Sequence, residues 1–260
     1  MIEVEGVSKR FGGFTAIRDC SLSVPAGSIT GLVGPNGAGK TTLFNIVGGA
    51  LAPSGGRVRF QGRDVTGLRP FELARLGLVR TFQIPQEFST LTVLENLMIP
   101  PPGQIGARLW AAWTRWDAVQ RQEAEIAAEA LEALEFLGLS HLSQERAGRL
   151  SGGQKKLLEL GRAMMSGAKT VLLDEPAAGV NRTLLKTLSA RLAQMRAEMG
   201  YSFFLIEHDM NLVAELCDSV YVMANGGVLA QGSMAELRRD RRVLEAYLGE
   251  RGAAAPEAAS

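Results

Sequence analysis

The sequence predicts an α/β fold with parallel strands and a helical region inserted into it, and three observations carry that prediction. Short apolar runs that end in polar residues alternate with stretches of helical spacing at both ends of the 260-residue chain. A glycine-rich loop, GPNGAGKTT at 34–42, falls between one such apolar run and one such helical stretch. From about residue 84 to 165 the strand-like runs give way to helical patterning, before KTVLLDE and SFFLIEHD restore them. At 46% hydrophobic, the chain has the composition of an ordinary globular protein. We therefore read residues 1–249 as one domain, with a helical subdomain at about 84–165 inserted in its core.

Taken in order, residues 1–33 read as strands and hairpins: IEVEGV, FTAIRDCSLSV, a Pro-Ala-Gly turn, then SITGLV running into the glycine-rich loop. TTLFNIVGGA has helical spacing and stops at Gly48-Gly49, and GRVRFQGRDV reads as a further hairpin strand. Thr92-Val-Leu-Glu95 is a capping-box pattern, PPPG at 100–103 breaks the chain, and 117–137 is a long Ala/Glu/Leu helix. Helical stretches at 182–199 and 209–217 separate the returning strands, and SVYVMANGGVLAQG adds the last of them. The tail 250–260 lacks core-forming residues and reads as disordered.

Composition excludes several classes. With 28 basic against 27 acidic residues, the net charge of +1 argues against a strongly basic nucleic-acid binder. Cys20 and Cys217 lie far apart with no metal-ligand spacing, as expected of reduced thiols in a cytosolic protein. No apolar run reaches the ~18–20 residues that span a bilayer, and MIEVEGVSKRFGG has no signal-peptide core. Any service to a membrane is expected from its water side.

The chemistry starts at the glycine-rich loop. GPNGAGKT fits Gly-x4-Gly-Lys-Thr from Gly34 to Thr41, in the strand-to-helix context that gives this motif its meaning. Backbone N–H groups along Gly34, Pro35, Asn36, Gly37, Ala38 and Gly39 are predicted to wrap phosphate oxygens (all but the proline carry one). Lys40 is predicted to reach the β and γ phosphates and Thr41 to ligate Mg²⁺, with Thr42 also among the nucleotide-binding residues. The lysine and the lack of Gly-x-Gly-x-x-Gly disfavour a dinucleotide fold. TVLLDE ends a strand in two carboxylates: alone a solvated acidic turn, but beside a phosphate loop Asp174 fits Mg²⁺ work, direct or through a ligand, and Glu175 a general base. His208 falls where the next strand runs out and is read as a hydrogen-bond donor to the γ-phosphate, while His141 is read as structural. The Gln83 amide follows another strand-like run and could meet Mg²⁺ or water. LSGGQ at 150–154 is a second turn of the same kind, a hydroxyl and bare backbone opening a helix.

GPNGAGKTT, TFQ, LSGGQ, VLLDEP and IEHD, in this order over about residues 2–249, resemble an ATP-binding-cassette ATPase. The resemblance implies a P-loop NTPase core of the ABC type, with an antiparallel β subdomain and an inserted α-helical subdomain bounded roughly by Arg75 and Met165. It implies that Phe11 stacks on adenine, and that ATP and Mg²⁺ are the cofactors. Members of the family work as nucleotide-sandwich dimers, so Ser151, Gly152, Gly153 and Gln154 would serve the ATP held by a second ATPase subunit. A GTPase reading lacks the Asn-Lys-x-Asp guanine motif. RTFQ…LTVLENLMI, the long insert, EPAAGVN, LIEHDMNLV and AYLGE further resemble the branched-chain amino-acid uptake ATPases of the LivG type. That subtype implies two transmembrane permease subunits, a periplasmic solute-binding protein, and a place on the cytoplasmic face of the inner membrane. Exporters, lipid-trafficking systems and DNA-repair or translation proteins use the same engine and are the rival readings. Asn181 stands where the family's D-loop carries aspartate, and Arg182 where proline is frequent.

All three tryptophans fall in ARLWAAWTRW, and on one helix Trp110, Trp113 and Trp116 would share one broad side, flanked by Arg108 and Arg115. They read either as a stripe packed on the subdomain or as a face for lipid headgroups or a membrane subunit. By resemblance, Phe88, Leu91 and Val93 are candidates for a groove that grips a membrane subunit.

Overall fold

The computed structural model describes residues 1–81, 87–107 and 109–253. The chain opens with an antiparallel hairpin, β1 (Ile2–Phe11) and β2 (Phe14–Val24). β3 (Ile29–Val33) enters a second sheet and leads through the glycine-rich loop into α1 (Lys40–Val47). The hairpin β4 (Gly55–Phe60) and β5 (Arg63–Asp64) returns to the first sheet, and α2 (Pro70–Arg75) precedes β6 (Leu78–Arg80). The insertion holds α3 (Val93–Met98), α4 (Leu109–Thr114), α5 (Trp116–Leu137) and α6 (Gly152–Met165). Then β7 (Thr170–Asp174), α7 (Arg182–Met199), β8 (Ser202–Ile206) and α8 (Met210–Leu216) alternate. A last hairpin, β9 (Ser219–Ala224) and β10 (Gly227–Gly232), is followed by α9 (Met234–Leu237) and α10 (Arg241–Ala253).

Two sheets result. The first is antiparallel, in the order β2-β1-β4-β5. The second runs β10-β9-β3-β8-β7-β6, parallel throughout except for the β9–β10 hairpin. Its central strands are apolar at nearly every position because both faces are covered. Phe203 and Leu205 of β8 join the core shared with the helical insertion, whereas Phe204 and Ile206 face α1 and the first sheet. The Phe44 and Phe204 rings meet with centroids 5.0 Å apart on that second side.

The insertion is rooted narrowly. It leaves after β6 and returns at β7, and these two strands are paired neighbours, with Val79 opposite Val171 and Arg80 opposite Leu172. The boundary expected at Arg75 therefore moves: α2 is followed by β6, a strand of the core sheet, so the insertion begins beyond Arg80. The Thr92 capping box forms as predicted, with Thr92 Oγ1 accepting from Glu95 N and Glu95 Oε2 accepting from Thr92 N at 2.7 Å. Two further expectations need revision. α10 continues to Ala253, into the stretch expected to be disordered. The tryptophans do not share one helix, since Arg115 at φ −133°, ψ 37° separates α4 from α5.

Candidate functional site

The site is assembled along one edge of the parallel sheet. β3, β8 and β7 lie side by side and run the same way, so the segments leaving their C-terminal ends stand in a row. In open α/β sheets this is where ligands bind. The first of these segments is the glycine-rich loop. Asn36, Gly37 and Thr41 are exposed and Thr42 half-buried, and the loop closes onto the N-terminus of α1, the positive end of the helix dipole. Gly39 is required there: its φ is +98°, and a Cβ would stand 2.7 Å from Ala16 O of β2. The same closeness places the first hairpin against the loop. Phe11, at the tip of that hairpin, is 48% exposed, with Lys9 Nζ over its ring at 5.2 Å from the centroid. Lys40 is buried, and its ammonium donates to Gly34 O at 2.7 Å and Pro35 O at 2.9 Å, which fixes where the charge sits.

The second and third segments carry the acid and the imidazole. Asp174 ends β7 and is buried, with Oδ2 accepting from Arg80 Nη2 at 2.6 Å. Arg80 also donates from Nη1 to Asn45 Oδ1 at 2.6 Å, so one guanidinium ties β6, β7 and α1 together. Sequence reasoning missed Arg80. Its signal was a cation at the end of an apolar strand, which must find a partner if that strand is inside. Glu175 follows with φ +48°, a left-handed conformation that glutamate rarely adopts, and its N–H donates to Ile206 O at 3.0 Å. From the neighbouring strand, His208 Nε2 comes to 3.1 Å from Glu175 Oε1. The structure thus brings together the two residues singled out from separate strand ends. A carboxylate and an imidazole in contact, both partly open to solvent, can take a proton from a water and offer one to an oxyanion. Gln83 lies outside the described residues, while His141 lies on an exposed turn among the helices.

The LSGGQ turn sits at the start of α6. Ser151 is the N-cap: its Oγ accepts from Gln154 N at 3.4 Å, and Gln154 Oε1 accepts from Ser151 N at 2.8 Å. Gln154 is therefore engaged within its own turn, whereas Ser151 and Gly152 are exposed and the Ser151 O–H still has its proton to give. Gly153 is needed for packing, because a Cβ there would overlap the Leu184 side chain of α7. Asn181 caps α7 with its side-chain oxygen accepting from Leu184 N at 2.9 Å, a role that its odd place in the motif did not reveal. One residue of α6 reaches the turn after β7: buried Lys156 donates to Glu175 O at 3.3 Å.

The surface candidates divide. Val93 is fully buried and offers nothing to a partner, while Phe88 is 46% exposed and Leu91 lines a groove of about 640 Å³ with Met98, Ile99 and Gln104. Trp110, Trp113 and Trp116 are 83%, 91% and 57% exposed, so they are not packed on the subdomain. Helical spacing told which residues could share a face, not which way that face would point.

A family model described as ABC transporter matches residues 17–178. The chain belongs to the ABC transporter family. A second model, described as branched-chain amino acid ATP-binding cassette transporter, matches residues 228–253 of this ABC cassette. The cassette is 44% identical over 250 residues to the probable branched-chain amino acid transport ATP-binding protein LivG of Archaeoglobus fulgidus, covering 96% of this chain and 95% of that protein. It is 38% identical to the high-affinity branched-chain amino acid transport ATP-binding protein BraF of Pseudomonas aeruginosa, covering 96% and 98%. Among solved structures it is similar to the ADP conformation of an ATP-binding cassette of an ABC transporter, with TM-score 0.82, 39% identity, and 96% and 99% of the two chains covered. The fold is that of an ABC ATPase, and the chain is an ATP hydrolase.

Proposed function

We propose that this ABC cassette powers the uptake of branched-chain amino acids, or of related amino acids or amides, as one of two ATPase subunits beneath two transmembrane permease subunits. A periplasmic solute-binding protein delivers the solute, and the cassette works peripherally on the cytoplasmic face of the inner membrane. No helix among the described residues is long and apolar enough to cross a membrane, which agrees with a peripheral subunit. The observation that carries the choice of solute is the match over 228–253, because it falls outside residues 17–178, the span that the general ABC transporter model matches.

In this reading Lys40 and the Gly34–Thr42 loop hold the phosphates and Phe11 stacks on adenine. Glu175 takes the proton of the attacking water, and His208 donates to the γ-phosphate. Ser151, Gly152 and Gly153 complete the partner subunit's site, where Gln154 acts indirectly by holding the turn closed. The candidate Mg²⁺ residues are Thr41, Asp174 and Gln83. Their donors are all oxygens or amides, and no group of three or more His, Cys, Asp or Glu gathers as a cage among the described residues. Such a set suits an ion that keeps water and phosphate among its ligands. Mg²⁺ would neutralise phosphate charge, and Asp174 is held ready by Arg80.

Deleting the gene in its host and re-expressing it tests the proposal through uptake of labelled leucine, isoleucine and valine. The parent chain restores uptake. Glu175→Gln keeps ATP binding but slows hydrolysis by ~10²–10⁴-fold, the usual worth of a general base, and restores none. Uptake that never depended on the gene, beside intact ATP hydrolysis, would move the cassette to an exporter or another system.

A further inference from the structure

We infer that Glu207 is a positioning residue for ATP hydrolysis, its buried carboxylate holding His208 and the turn after Glu175 in one fixed relation. The inference rests on the reading of Glu175 and His208 as the hydrolytic pair.

Glu207 is the first residue beyond β8 and is only 3% exposed. A carboxylate so enclosed is costly unless hydrogen bonds replace its water. Here they do, from two directions. Oε1 accepts from Ala177 N at 2.6 Å, across 30 residues of sequence. Oε2 accepts from His208 N at 2.9 Å and Asp209 N at 3.4 Å. One oxygen thus grips the segment two residues after Glu175, and the other grips the segment that bears the imidazole.

The placement explains why a carboxylate is needed. Asp174 of β7 is paired with Ile206 of β8, and the final backbone contact across these strands is Glu175 N to Ile206 O at 3.0 Å. Past that point the two segments diverge toward their separate tasks, and the Glu207 side chain takes over the tie between them. The Nε2–Oε1 distance of 3.1 Å between His208 and Glu175 is set by side chains mounted on these two segments. Glutamine has one acceptor oxygen and turns two N–H bonds of its own toward the other segment's donors, so it can satisfy one side only. Aspartate keeps both oxygens on a stem one carbon shorter. The ammonium of Lys156 on α6 acts electrostatically on Glu207 and on Asp174 and Glu175, so the signature helix feels the same group.

The test compares full-chain Glu207→Gln with the parent and with Glu175→Gln in steady-state ATP hydrolysis, with amide hydrogen exchange followed at 177, 208 and 209. Glu207→Gln is expected to lower kcat by about 10–100-fold, the range that small misplacements at an active site produce. KM for ATP should change less than about twofold, because the phosphate loop is untouched. Exchange should accelerate together at Ala177 and at His208–Asp209, although they are far apart in sequence. Should the glutamine variant not fold, Glu207→Asp is read in its place. A kcat within about twofold of the parent in a folded variant overturns the inference, as does a fall in kcat matched by an equal rise in KM. Failure of both variants to fold also overturns it, by making the carboxylate an element of the fold. Normal turnover in Glu175→Gln would instead remove the hydrolytic pair on which the inference stands.

Discussion

At the scale of single residues, the sheet end that bears Glu175 and His208 is costly to build. Glu175 occupies a left-handed backbone conformation, and Glu207 is a charge almost out of contact with water. Burial, and then the neighbouring charge of Glu175, push the Glu207 carboxyl above the usual glutamate range, against the pull of three backbone N–H donors. A carboxyl raised in this way binds more protons folded than unfolded. Its favourable contribution is full below the ordinary glutamate value and is lost as pH rises through the folded one. Glu207→Gln cannot titrate there. The melting temperature of the parent relative to that variant should therefore be greatest below about pH 4.3, the ordinary glutamate value, and decline as pH rises above it. Thermal melts of both proteins on either side of that value check it, and a difference that widened with pH would contradict the assignment. The glycine-rich loop, Glu175 and His208 were legible in the sequence because each sits in a short motif at a strand end. Glu207 and Arg80 were not, since their partners depend on which strands become neighbours, and β8 lies beside β7 only after a crossover through α7.

At the scale of elements, α6 shows how much one turn can do. Its capping box satisfies the first orphan donors of the helix within the chain, yet leaves Ser151 and Gly152 on the surface. The turn and the phosphate loop belong to different parts of the fold, one on the insertion and one on the sheet, which accords with service to a facing subunit. Ser151→Arg is accordingly expected to abolish hydrolysis while leaving the ATP affinity of the monomer nearly unchanged. Mixing it with Lys40→Ala protein should recover part of the activity, because one interface of each mixed dimer is then built from intact halves. Turnover measured across mixing ratios decides the matter. If mixed dimers form and no activity returns, the two loops act within one chain. Helix types were readable here because Thr92 and Ser151 announce their caps three residues ahead of Glu95 and Gln154. The break at Arg115 was not, as neither proline nor glycine marks it, and the outward aim of the tryptophans is set by the surfaces that α4 and α5 leave uncovered.

At the scale of the whole molecule, the prediction concerns assembly. Two facing sites, each combining the positive end of a helix with the Lys40 ammonium, repel one another until triphosphates bring negative charge between them. The isolated chain should be largely monomeric without nucleotide and should dimerise when ATP is bound and hydrolysis blocked. Asn181 sharpens this, because its side-chain oxygen is occupied in capping α7 and it carries no charge to hold a partner. Sedimentation of Glu175→Gln with ATP·Mg²⁺ against ADP·Mg²⁺ tests it. A monomer in both would favour a sister subunit over a homodimer, and a dimer in all conditions would remove the switch. The narrow root of the insertion then acquires a mechanical meaning. The chain enters and leaves the insertion on two adjacent strands, about 4.8 Å apart, while α6 also packs against α7 and reaches Glu175 O through Lys156. A load placed on α5 would pass to α6, against which it packs, and from there to the strand root spanned by the Arg80–Asp174 ion pair and to the segment that bears Glu175. On the proposed assignment of the site, a movement of the insertion would thus reach Asp174 and Glu175 by two separate routes.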